Sequence, residues 1–87
     1  MTTYARMSQI ARDVLARTGL PYELAGIEMP TDLWGIWTLT FLDPGAPLWA
    51  RTFQLPLEWE AGTTEEAAGA ALERLLRDHG RTRRNPD

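Results

Sequence analysis

Eighty-seven residues, 44% of them hydrophobic, with a formal net charge of −3, suit one domain folded around one core and exclude two. The chain has no cysteine, which removes disulfides, thiolate nucleophiles and thiolate-ligated metals, and no lysine, which removes a phosphate-loop lysine, a Schiff base and a lysine general base. Charge is unevenly placed: residues 81–87 carry three arginines and one aspartate, whereas residues 1–80 carry six arginines against eleven acids. An acidic body repels phosphate backbones, so nucleic acid is not the expected partner. No apolar run reaches membrane-spanning length, and Arg6, Arg12, Asp13 and Arg17 break up the N-terminal stretch, so no membrane association and a cytoplasmic location are expected.

The first element is an amphipathic helix over 3–18, where Met7, Ile10, Ala11, Val14 and Leu15 recur at helical spacing. Gly19 can take the left-handed cap, and Pro21 cannot continue the helix. A strand follows from Tyr22 to Met29, with Gly26 at a break in alternation that suggests a bulge. Pro30-Thr31-Asp32 reads as a turn. Leu33 to Leu42, rich in Trp, Ile, Thr and Phe and free of charge, is the strongest strand signal. Asp43-Pro44-Gly45-Ala46-Pro47 is a turn, and Leu48 to Leu55 is the third strand, ended by Pro56. Thr63 and Glu66 have capping-box spacing, so the second helix starts there. Its buried side is Ala67, Ala68, Ala71, Leu72, Leu75, Leu76 and His79, with Gly80 as its cap. Residues 1–80 are thus expected to form one α+β domain of order α-β-β-β-α, a three-stranded antiparallel sheet with two helices packed on one face, and 81–87 a disordered basic tail.

Alternation assigns Leu33, Gly35, Trp37, Leu39 and Phe41 to the core face of the second strand, and Trp49, Arg51, Phe53 and Leu55 to one side of the third. Val14, Leu15, Leu39, Phe41, Phe53, Leu72 and Leu75 are the expected heart of the core. Trp34 and Ile36 are surplus to it. Either Trp34 packs under a loop or against Trp59, or Trp34, Ile36 and Trp59 form an exposed apolar patch, a form that marks binding surfaces.

Chemistry is sparse. The single histidine, His79, lies late in the second helix, where its charge suits the dipole, and the single serine, Ser8, lies on a helix surface, so no hydrolytic triad is expected. Glu58, Glu60, Glu65 and Glu66 gather around the start of the second helix. Their spacing matches no calcium loop; Glu65 and Glu66 suit the positive end of the helix dipole, and the four together could meet a basic partner. No cofactor or metal is expected.

Gly19-Leu20-Pro21-Tyr22-Glu23 after the first helix, Trp37-Thr38-Leu39-Thr40-Phe41 in the middle strand, and Thr63-Thr64-Glu65-Glu66-Ala67 with Ala70-Ala71 and Leu75-Leu76 in the second helix carry a resemblance. In these residues and in element order the chain resembles the double-stranded-RNA-binding domain family over about residues 7–78. The resemblance implies the α-β-β-β-α fold. The family's RNA-binding lysines would fall on Thr64, Glu65 and Ala68, none of which is basic, and Pro30-Thr31-Asp32 lacks the family's minor-groove histidine. It therefore implies a variant without RNA binding that mediates protein contacts.

The expected function is a non-enzymatic protein-protein interaction module, a small inhibitor or accessory protein or a homodimer, using Trp34, Ile36 and Trp59 or the acids Glu58, Glu60, Glu65 and Glu66. The alternatives are a nucleic-acid binder of the resembled fold, relying on Arg6, Arg12, Arg17 and the tail, and an accessory subunit of an enzyme.

Overall fold

A computed structural model describes residues 2–31 and 35–84, with side chains through 81. The chain runs through helix α1 (Tyr4–Thr18), strands β1 (Glu23–Glu28) and β2 (Gly35–Leu42), a 3-10 turn (Leu48–Ala50), strand β3 (Thr52–Trp59) and helix α2 (Glu65–Arg84). The strands form an antiparallel sheet in the order β1-β2-β3, so β2 is central and β1 and β3 are edges. Both helices pack on one face of it, giving the expected α+β architecture.

Local chemistry sets the limits of α1. The Thr3 hydroxyl accepts a hydrogen bond from the Arg6 N–H at 3.2 Å, and Gly19, at φ 69°, donates its N–H to the Leu15 carbonyl at 3.0 Å. In β1 the register slips between Leu24 and Gly26, which are paired with Phe41 and Thr40, so the expected bulge is present. The bulge sets Leu24 and Ile27 against the core while Glu23 and Glu28 face outward.

The core joins Met7, Ile10, Ala11 and Val14 of α1, Trp37, Leu39 and Phe41 of β2, Leu55, Leu57 and Trp59 of β3, and Ala68, Leu72 and Leu76 of α2. Of the residues expected at its heart, Val14, Leu39, Phe41 and Leu72 are buried, and Leu15, Phe53 and Leu75 pack against it partly buried.

Several expectations at the C-terminal half are corrected. The third strand begins at Thr52, not Leu48, and Pro56 lies inside it opposite Thr38. An edge strand tolerates proline where the missing N–H would point away from its neighbour, so Pro56 does not end the ladder. The shift carries Leu57 and Trp59 into the core and leaves Trp49 outside it.

Thr64, not Thr63, caps α2: its Oγ1 accepts from the Ala67 N–H at 3.1 Å, while the Thr63 Oγ1 accepts from the Glu60 N–H at 3.0 Å and closes the preceding turn. Gly80 does not cap α2, which continues to Arg84, so the expected loss of order from Arg81 does not begin there. Residues 85–87 of that tail lie outside the described residues. No helix among the described residues is long and apolar enough to cross a membrane.

Candidate functional site

Two apolar features lie at opposite ends of β3. The first is the β2–β3 connection. Asp43 is buried, and its Oδ1 accepts from the Gly45 N–H at 3.1 Å; its own N–H donates to the Arg51 carbonyl at 2.7 Å. The Arg51 guanidinium reaches back over the loop, donating from Nε and Nη2 to the Ala46 carbonyl at 3.3 and 3.1 Å. The Ala50 N–H closes the 3-10 turn on the Pro47 carbonyl at 2.9 Å.

A loop so cross-braced by its own backbone has little freedom left to lose on binding. At its tip Leu48 is 80% and Trp49 88% exposed. Neither contributes to the core. Burying either one against the chain would be worth a few kcal/mol, so their joint projection is a departure from what folding alone favours.

The second feature is a groove of about 480 Å³ at the other end of β3, between that strand and α2. Leu57, Ala68 and Leu75 supply apolar wall, and the small side chains of Ala67 and Ala71 leave room above α2. Glu58 and Glu60 come from the strand side and Arg74 from the helix side. Ile36, opposite Glu58 in the ladder and 53% exposed, borders the groove from the open face of the sheet.

The expected site residues thus separate. Ile36, Glu58 and Glu60 come together in the groove. Trp59 is 5% exposed and belongs to the core, so it adds nothing to an apolar patch; with β3 extended to residue 59, its side chain alternates inward with Leu55 and Leu57. Glu65 is engaged elsewhere, its Oε2 lying 2.7 Å from Arg6 Nη2 and bridging the starts of the two helices. Glu66 lies with Asp13 and Arg17 in a shallow hollow between α1 and α2. Trp34 lies outside the described residues.

Leu48, Trp49 and Arg74 were missed in the sequence. The signal for the first two was Arg51, which a strand over 48–55 would have set on the same side as Phe53 and Leu55; a charge on a core side argues that pairing has not yet begun. Pro47 immediately before Leu48 points the same way.

Charge is distributed by face. The helix layer interleaves arginines with acids, as in Arg6–Glu65 and in Glu73, which receives Arg17 at 2.9 Å and Arg77 at 3.1 Å. Hydrogen bonds from Arg17, then Arg77, hold the Glu73 carboxyl below the usual carboxylate range. The open sheet face instead presents Glu23, Glu28 and Glu58 with no cation among the described strand residues. No three His, Asp or Glu side chains among the described residues are grouped as metal ligands. Comparison with protein-family models, with curated proteins and with solved structures found no match.

Proposed function

We propose that this chain is a non-enzymatic protein-binding module whose anchor is the Leu48–Trp49 projection. One observation carries the reading: two adjacent large apolar side chains, 80% and 88% exposed, stand on a loop pinned by its own hydrogen bonds. A tryptophan offers large contact area for few rotamers frozen, and tryptophan is enriched among interface hot spots.

The α-β-β-β-α order with both helices on one sheet face is also the layout of the double-stranded-RNA-binding domain. Kinship with that family would make this a variant turned to protein contacts. Glu65 and Glu66 in the first turn of α2, where the family places lysines, oppose an RNA backbone.

The test is a photo-cross-linking amino acid at position 49, with the same group at the exposed helix position Arg12 as control. The reading expects a discrete protein adduct from position 49 and none from position 12. Equal labelling from both positions, or none from position 49, overturns it.

A further inference from the structure

We propose that the protein fitting this anchor is a second copy of the same chain, docked antiparallel along β3 so that each Leu48–Trp49 projection enters the groove of the other. The inference rests on the protein-binding reading and names its partner.

The two features are complementary but cannot meet within one molecule. The projection precedes the first residue of β3, and the groove is lined by residues at its far end, including Pro56, Leu57 and Glu58. The stretch of strand between them, Thr52 to Leu55, spans on the order of 13 Å. Two copies set antiparallel beside their free β3 edges bring start to end twice over, once for each copy, which is the self-complementary contact of a two-fold dimer.

The charge order along β3 fits the same arrangement. Arg51 precedes the strand; Glu58 lies near its end and Glu60 just beyond. An antiparallel offset that sets Trp49 opposite Glu60, at the rim of the groove, sets Arg51 opposite Glu58 of the other copy, so opposite charges face each other at both junctions. Docking through the open sheet faces would instead set Glu23, Glu28 and Glu58 against themselves.

Size and area agree as well. A space of about 480 Å³ falls in the range that accepts drug-sized ligands and admits a tryptophan with its neighbouring leucine. An aromatic side chain buries roughly 150–250 Å². Two such projections, with the groove walls they cover, reach on the order of 1,000 Å², the threshold of a specific interface. Pro56, lacking an N–H, interrupts any continuous ladder between the two edges, so side-chain insertion rather than sheet extension holds the pair.

The experiment is solution mass by light scattering against concentration, with urea midpoints confirming that each variant folds. The wild-type chain is expected to reach twice its monomer mass. Trp49→Ala, and Ala67→Tyr, which fills the groove from an exposed position on α2, should each raise the dissociation constant about a hundredfold. Glu58→Arg, which turns its attraction to Arg51 into repulsion, should raise it about tenfold. Mixing Trp49→Ala with Ala67→Tyr leaves one intact projection and one intact groove, so the mixture should form a heterodimer at concentrations where neither variant self-associates. A wild-type chain still monomeric at about 1 mM, a dimer indifferent to these variants, or a mixture as inert as its components overturns the proposal. A monomer whose position 49 nonetheless cross-links to a different protein overturns only the self-association. A monomer with no adduct removes the protein-binding reading too.

Discussion

The imidazole of His79 lies face to face with the ring of Phe53, their centroids 3.6 Å apart and their planes within 10°. Tyr22 meets both rings edge-on, at 5.1 Å from Phe53 and 5.9 Å from His79. The histidine therefore joins the late part of α2 to the sheet through this stacked pair. Stacked ring pairs add about 0.5–1.5 kcal/mol beyond area burial. His79→Ala should lower unfolding free energy by about 1–2 kcal/mol, measured by urea denaturation. A change near zero would contradict the buttressing role.

Gly80 is held small by Tyr22. A Cβ at position 80 would stand 2.9 Å from the Tyr22 hydroxyl oxygen, and Tyr22 is fixed by the ring cluster. Glycine to alanine inside a helix normally gains about 0.5–1 kcal/mol. Here Gly80→Ala should fail to gain it, and a double-mutant cycle with Tyr22→Phe should show favourable coupling of about 1 kcal/mol, because removing the hydroxyl makes room. Additive effects would contradict the contact.

Glu73 gives a pH signature. Its carboxyl is held below the ordinary value of 4.5 by hydrogen bonds from Arg17 and Arg77. A carboxylate depressed on folding contributes stability that is fully present above its unfolded pKa and is lost as pH falls through the folded value. Glu73→Gln should therefore lower the urea midpoint at pH 7 and converge on the wild type in acid, below the unfolded value of 4.5. A difference that persisted unchanged into acid would show that charge is not its source.

The start of α2 separates the two threonines. Thr64→Ala should cost about 1 kcal/mol, the usual loss for a hydroxyl cap. Glu66→Ala, which removes any side-chain acceptor, should leave stability within about 0.5 kcal/mol, because the cap at Thr64 does not enlist Glu66 in a reciprocal box. A large loss from Glu66→Ala would restore the Thr63–Glu66 box.

Much of the fold was legible because it depends on local rules. The spacing of Met7, Ile10, Ala11 and Val14, the glycine cap at Gly19, the bulge at Gly26 and the alternation of Trp37, Leu39 and Phe41 each need only near neighbours. The third strand was displaced because its signals conflict: Leu48-Trp49-Ala50 looks as apolar as a strand, and Pro56 looks like a stop. Both are resolved by position in the sheet, since an edge strand accepts Pro56 and the pinning of Asp43 and Arg51 delays pairing until Thr52. That displacement puts Trp59 in the core and Trp49 on the surface. Of the expected site, Ile36, Glu58 and Glu60 converge, whereas Glu65 is drawn away by Arg6, a contact 59 positions distant in sequence that no local pattern announces.

The account turns on Trp49 being an anchor held out of the chain's own core. The most direct measurement is fluorine NMR of chain labelled with 5-fluorotryptophan, with the Trp49 signal assigned by Trp49→Phe and probed with a water-soluble paramagnet. In dilute solution the signal should broaden strongly, and rising concentration should progressively protect it. Protection already present in dilute solution would contradict the account, and broadening that concentration does not change would contradict the self-association.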